Sequence, residues 1–328
     1  MSEANASFVN RHDFMQNIGM AQGIIGMVLN TLAWLVILHN KSLHNMTNYL
    51  LAYLAVVDTL ACFSVFLYNT KDLYTPGLVG LDIYCRLINS RFLESLAVLS
   101  SSYGLCLVTF ERYIGIVHPL HYPRVMSAKK TAYQIFLAWI ISFLISCPNL
   151  FVQQANTRKD ALSACHIILE LSLLEDLSTL IMFPFSYIIP IVFMSWAYYK
   201  IQATLKKSAR QLQQQNVQGA ALELLQARQN VISMLRIVMG ALLVLWTPLI
   251  IWLSLCLFHP NYDLCQSKSG EYILFLLIFL YDMNSVINPI IYVFKYKKFR
   301  KGLQEMFYSR CARPNLIGVQ IAVNEENA

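Results

Sequence analysis

The sequence predicts an all-α membrane protein, a seven-transmembrane helix bundle with a short amphipathic eighth helix. Three observations carry this. The chain of 328 residues is 57% hydrophobic and only 13% charged, whereas a soluble domain carries about 25% charged residues. Seven apolar runs approach the ~20 residues needed to cross a bilayer: Ile18–Leu38, Tyr49–Tyr68, Phe92–Phe110, Thr131–Phe151, Ile181–Tyr199, Ile237–Phe258 and Tyr272–Phe294. Threading them alternately puts 7 Lys and Arg on the amino-terminal side and 18 on the other. Basic residues concentrate on the cytoplasmic side, so the amino terminus is expected outside and the carboxyl terminus inside, in the plasma membrane. The net charge of +7 follows from this asymmetry. It suits an anionic inner leaflet and is no nucleic-acid footprint.

The expected divisions are an extracellular segment, 1–17, the bundle, 18–294, an interfacial helix, 295–309, and a cytoplasmic tail, 310–328. The first segment is polar and holds acids, unlike a cleavable signal peptide, so span one should act as its own insertion signal. Asn5 opens an outer glycosylation sequon with Ser7. The sequon at Asn45 falls on the cytoplasmic side and should stay unmodified.

Polar groups within spans are costly and mark function by default. Span one holds Asn30, and span two holds Asp58 in LAYLAVVD. Span three is less clean because of Glu94, holds Ser101, and ends on Glu111, Arg112 and Tyr113. Span seven holds Asn284 and Asn288. Carboxylate, hydroxyl and amide oxygens are ligands for a hard cation such as Na⁺ at Asp58. They equally suit a hydrogen-bonded network that joins helices. Glu94 and Arg112 are 18 residues apart, five turns of one helix face and roughly 27 Å. That face should point into the bundle.

Prolines interrupt the later spans: Pro190 in five, Pro248 in six, Pro289 in seven. Each removes a backbone hydrogen bond and kinks a helix, tolerable where neighbours satisfy the freed groups. Asn288, beside Pro289, can do so, which makes SVINPIIYVF a hinge candidate. After span seven, Phe299, Leu303, Met306 and Phe307 form one apolar stripe beneath basic residues, an interfacial helix. Cys62, Cys106 and Cys147 read as small buried residues. Cys85 and Cys165 face the oxidising side, which permits a disulfide. Cys256 and Cys265 bracket the third outer loop as a second candidate pair. Cys311 follows the basic helix and suits palmitoylation.

Together these residues resemble the rhodopsin-like (class A) G-protein-coupled receptors, over all seven spans. Asn30 matches the family's span-one Asn, and Asp58 the acid of its LAxxD pattern. Glu111-Arg112-Tyr113 matches the D/E-R-Y triad, and Trp139 the span-four Trp. Pro190 and Tyr198 match span five, Trp246 and Pro248 the WxP pattern, and Asn288-Pro289 with Tyr292 the NPxxY pattern. The resemblance implies that Cys85 pairs with Cys165, and that Asp58, Ser101, Asn284 and Asn288 form a sodium pocket. It implies a heterotrimeric G protein as partner, with Arg112, Tyr198 and Tyr292 rearranging as spans six and seven move about Pro248 and Pro289.

Two departures stand out. Cys85 lies 27 residues before Arg112, two more than is usual in the family, so counting from Cys85 puts Phe92 where counting from Arg112 puts Glu94. Arg228, 20 residues before Pro248, stands where many relatives carry an acid that holds the triad Arg. It cannot pair with Arg112, so a loosened resting state is expected. The third inner loop should be helical extensions of spans five and six. Beyond Ser309 there is no Ser or Thr, so arrestin capture through tail phosphates should be weak.

Arg91, Glu94 and Asp282 lie near the outer pocket, above Trp246 as an aromatic floor. One reading pairs Glu94 and Asp282 with a cationic ligand group, an amine or a basic peptide group. Another pairs Arg91 with Glu94 at i, i+3, and a third has Arg91 meet an anion. Span seven has no Lys in its core, which excludes a retinal photoreceptor. Peptide, lipid and odorant-type receptors remain alternatives for the ligand. From another class, a small transporter would normally show repeated halves, and none is visible. No enzyme is expected, since neither HExxH nor an intramembrane GxGD occurs.

Overall fold

The structure, a computed structural model, describes residues 2–70, 78–156, 165–168, 184–215, 219–259 and 263–311. Its long helices are α1 (Ser2–His39), α2 (Met46–Asn69), α3 (Phe92–Val117), α4 (Ala128–Ser146), α5 (Ile189–Gln214), α6 (Ala220–Phe258), α7 (Lys268–Lys295) and α8 (Lys297–Cys311). Six are long and apolar enough to cross a membrane: α1, α2, α3, α4, α6 and α7. The fifth predicted span, 181–199, begins at residues outside the described set. Its described part forms a π-helical turn, Pro184–Ile188, and then α5.

Helix boundaries follow local chemistry. Asn45, Ser127 and Ser267 cap α2, α4 and α7, each side chain accepting from a backbone N–H of the first turn. α1 starts at Ser2, well ahead of Ile18. No Gly or Pro precedes Gly19, and Ala4, Ala6, Met15 and Gln16 favour helix. α5 and α6 extend as expected, to Gln214 and from Ala220, and Gly219 just ahead of α6 takes a φ of 83° that suits glycine.

Pro248 and Pro289 lie inside α6 and α7. Pro190 departs from the expected mid-span kink. It stands in the first turn of α5, and the irregularity is the change of pitch at the π-turn just before it.

The core runs along the inner faces, through Val36, Leu50, Leu54, Val108, Ile201 and Leu242. Val28, Phe136, Val192, Val244, Ile251 and Phe294 face outward. So much exposed apolar surface suits hydrocarbon rather than water. α1 lies close on α2: a Cβ at Gly23 would stand 2.8 Å from the Cys62 carbonyl oxygen and 2.9 Å from the Phe66 backbone nitrogen.

At the Cys85 end of the bundle, β1 (Gln153–Ala155) and β2 (Cys165–Ile167) pair antiparallel. The Cys85–Cys165 disulfide ties β2 to the turn that leads into α3, and Cys256–Cys265 joins the end of α6 to the short helix Asp263–Gln266. Helix α8 packs on α1 and α7. Asn40 donates to Glu305 Oε2, and Tyr296 donates its hydroxyl to Asn48 Oδ1 at 3.1 Å.

Candidate functional site

The outer layer begins with a break in the backbone. Cys85–Asn89 forms a π-helical turn, and Arg91 then takes φ 57°, ψ 25°. Among the described residues it is the one non-glycine with positive φ. The irregularity thus lies between Cys85 and the start of α3. Glu94 and Phe92 are both buried, Glu94 toward Asp282 of α7 through Arg91, and Phe92 edge-on against Phe143 of α4, centroids 6.0 Å apart.

Arg91 grips Glu94 with two hydrogen bonds, Nε to Oε2 at 2.9 Å and Nη2 to Oε1 at 2.6 Å. The same Nη2 lies 3.3 Å from Asp282 Oδ2 on α7, and the guanidinium sits 5.0 Å from the Tyr68 ring centroid. Of the sequence-level alternatives, the Arg91–Glu94 pair is formed, and Asp282 joins it. Glu94 and Asp282 also line a small cavity with Gln22, Cys62, Val98 and Ser285. Gln22 donates to the Phe279 carbonyl at 2.9 Å, which fixes α1 against α7. Beyond these groups Trp246 is buried, its ring 4.8 Å from that of Tyr281 and stacked at 6.2 Å on Tyr187. Its Nε1 has no partner among the described residues.

The middle layer centres on Asp58, fully buried on α2. Ser101 donates to its Oδ1 and Asn288 to its Oδ2, both at 2.8 Å. Three helices therefore meet on one carboxylate. Asn30 does not touch it. Its Nδ2 donates to the Ser285 carbonyl at 2.7 Å and to the Gly26 carbonyl at 3.0 Å, joining α1 to α7. The side-chain oxygens of Asn284 and Asn288 are buried without partners among the described residues. An unpartnered Asn288 oxygen beside a buried carboxylate is a donor set that a hard cation fits.

The layer at the far end of α3 is built on Glu111. Thr47 of α2 donates to its Oε2 at 2.8 Å, and Tyr122 donates to its Oε1 at 2.7 Å. Arg112 Nε lies 2.8 Å from Oε2 without the alignment of a hydrogen bond, so the contact is a charge pair. Arg228 is exposed on α6. Burial, then the Glu111 hydrogen bond, push the Tyr122 phenol above its ordinary pKa, which keeps it a donor. Tyr113 packs on His118 and Trp196. Tyr198 and Tyr292 are already buried. Tyr198 shares a 2.9 Å hydrogen bond with Thr109, while the Tyr292 hydroxyl has no partner among the described residues.

Thr47, Tyr122, Thr109 and Tyr281 escaped the sequence reading. Leu120 did too. It lies in the HPLHYP stretch after α3 and is 92% exposed. The side chains of Asn5, Phe307 and Cys311 lie outside the described residues, although Cys311 closes α8.

Residues 29–292 match the family model of the 7 transmembrane receptor (rhodopsin family). The chain is 26% identical over 296 residues to the substance-P receptor of Homo sapiens, covering 88% of this chain and 69% of the relative. It is 27% identical over 293 residues to adenosine receptor A2b of Gallus gallus, covering 84% and 83%. It is 23% identical over 329 residues to the alpha-1A adrenergic receptor of Mus musculus, covering 88% and 66%. The geometry and the family match agree, and the chain belongs to the rhodopsin family of seven-transmembrane receptors.

Proposed function

We propose that this receptor takes an extracellular ligand bearing a cationic group and activates a heterotrimeric G protein from the plasma membrane. The amino terminus lies outside and the carboxyl terminus inside. One observation carries the ligand reading. Two buried carboxyl groups, Glu94 and Asp282, share a single guanidinium. One acid therefore holds a proton or meets a second cation, since an unpaired buried charge is costly. A ligand ammonium or guanidinium entering beside Gln22 supplies that cation. An anionic ligand is disfavoured because Arg91 is already engaged on both acids. The relatives are named for substance P, adrenergic ligands and adenosine, so likeness alone does not choose the ligand.

Signal passes inward as a bias between two arrangements. Asp58, Ser101, Asn284 and Asn288 would hold Na⁺, which supplies charge compensation to the resting bundle. Ligand contacts near Trp246 favour movement of α6 about Pro248 and of α7 about Pro289. Arg112 then leaves Glu111 for the G protein, with Tyr113, Tyr198 and Tyr292 lining the opened face. Exposed Leu120 gives the G protein an apolar anchor. A glycan on Asn5 and a lipid on Cys311 complete the membrane orientation. A G-protein dissociation sensor challenged with amines and basic peptides tests this reading. Activation that is lost in both Glu94→Gln and Asp282→Asn supports it. Activation only by uncharged or anionic compounds overturns the ligand assignment.

A further inference from the structure

Arg91 does not serve its two acids equally. Both Glu94 oxygens are held, Oε2 by Nε at 2.9 Å and Oε1 by Nη2 at 2.6 Å. Asp282 meets only that same Nη2, 3.3 and 3.5 Å from its two oxygens. A charge-assisted N–H···O bond normally spans about 2.7–2.9 Å, so the second contact is loose. Among the described residues Arg91 is the one cation within ion-pair distance of either acid. The Arg91–Glu94 pair is also local, three residues apart at the start of α3. It sits on a left-handed backbone that is costly outside glycine and persists where its surroundings hold it. Asp282 comes from α7, 191 residues on, and is buried. One positive charge against two carboxyl groups leaves one negative charge, and it falls on Asp282.

The cavity beside Asp282 suits a compact cation. It is walled by α1, α2, α3 and α7, and Gly23, Ala61 and Cys62 keep its α1–α2 side narrow. Gln22 commits its amide nitrogen to the Phe279 carbonyl, which leaves the side-chain oxygen as an acceptor at the wall. Ser285 lines the cavity too, and its carbonyl accepts from Asn30 at 2.7 Å. Asn288, further along α7, donates to Asp58. A cation on Asp282 therefore acts on the helix that holds Ser285, Asn288 and Pro289.

We infer, resting on the cationic-ligand reading above, that Asp282 is the counterion of the ligand's charged group and that Arg91 sets that group's charge at one. Arg91 and Glu94 act as a neutral pair at the mouth of the site, where the Arg91 side chain is 25% exposed. The ligand class is a compact monovalent ammonium. A second positive charge finds Glu94 already taken and meets the Arg91 guanidinium, so a dication is disfavoured. Charge balance then fixes what each change does. Without Glu94, Arg91 turns wholly onto Asp282 and closes the site. Without both, Asp282 stands alone and the site reopens. Without Arg91 only, two carboxylates face the cavity and a dication fits.

Purified full-length receptor in neutral detergent is titrated with butylamine or its diamine counterpart, putrescine, at fixed ionic strength. Apparent affinity is read from the rise in Tm. The parent is expected to bind butylamine more tightly than putrescine. Asp282→Asn and Glu94→Gln should each weaken butylamine by about thirtyfold or more, since each leaves the ammonium without a free charge partner. Arg91→Met combined with Glu94→Gln should bring butylamine back close to the parent, a rescue that a purely structural role for Arg91 does not give. Arg91→Met alone should reverse the ranking of the two amines. Size exclusion verifies that each variant is folded, and if the double variant is not, the Arg91→Met ranking decides. Butylamine binding that survives Asp282→Asn, or a folded double variant no better than Glu94→Gln, would overturn the counterion assignment while a cationic ligand still stands. An unchanged ranking in Arg91→Met would overturn the role of Arg91 in setting the charge. Absence of any amine effect on Tm, in the parent and every variant, would overturn both this assignment and the cationic ligand.

Discussion

Tyr122 donates its hydroxyl to Glu111 across 2.7 Å, and so ties the second inner loop to the inner end of α3. Thr47 holds the other carboxylate oxygen from α2. Arg228 on α6 is exposed, and the groups that hold Glu111 beside Arg112 come from α2 and the loop. Hydrogen bonds to a charged group contribute about 1.5–3 kcal/mol. Tyr122→Phe or Thr47→Val should therefore raise basal G-protein signal several-fold, and the two together more. A dissociation sensor in unstimulated cells measures it. An unchanged basal signal in the double variant would show that Glu111 does not restrain Arg112.

Arg91 is expected to matter for stability as well as ligand entry. Removing one partner of a buried ion pair costs about 3–5 kcal/mol. The Arg91 side chain is 25% exposed, so about 2 kcal/mol is the expected loss for Arg91→Met. Thermal unfolding in detergent should show a lower Tm, partly restored by millimolar guanidinium or a simple amine that reaches Glu94 and Asp282. Restoration by sodium chloride to the same extent would remove the argument for a cation subsite.

Much of this was legible in the sequence, and the exceptions have physical reasons. Apolar runs set the spans because each backbone group in lipid must be satisfied within a helix. Asp58 with Ser101 and Asn288 could be anticipated because buried polar groups need partners. The break at Arg91 could not. Left-handed backbone usually announces itself as Gly or Asn, and neither occupies that position. The 27-residue spacing located an irregularity without saying where α3 resumes. Arg91 with Glu94 follows from i, i+3 spacing, but Asp282 joins from another helix, 191 residues on. Tyr122 was hidden likewise: HPLHYP reads as a loop, and a loop tyrosine carries no sign that it reaches back to Glu111.

Two glycines should respond oppositely. Gly23→Val drives a branched side chain into the Cys62 and Phe66 backbone, and overpacking costs about 1–3 kcal/mol. Gly240 sits inside α6 with nothing within 4 Å of an added Cβ. There Ala should stabilise by about 0.5–1 kcal/mol. Paired Tm measurements check both signs, and a Gly23→Val receptor as stable as the parent would contradict the close α1–α2 contact.

Leu120 has no internal partner to lose, being 92% exposed. Leu120→Asp should leave expression and Tm unchanged while reducing agonist-driven G-protein dissociation about tenfold. An intact response would place the G-protein contact elsewhere on the cytoplasmic face.

A cation sensed by Glu94 and Asp282 is expected to be transmitted to Arg112. The most direct measurement is one dissociation-sensor experiment on the parent, Glu94→Gln, Asp282→Asn and Arg112→Gln, challenged with a panel of amines and basic peptides. The account expects a responding cation whose effect disappears in all three variants, with surface expression intact. A response that survives both acid substitutions, or persists without Arg112, would contradict it.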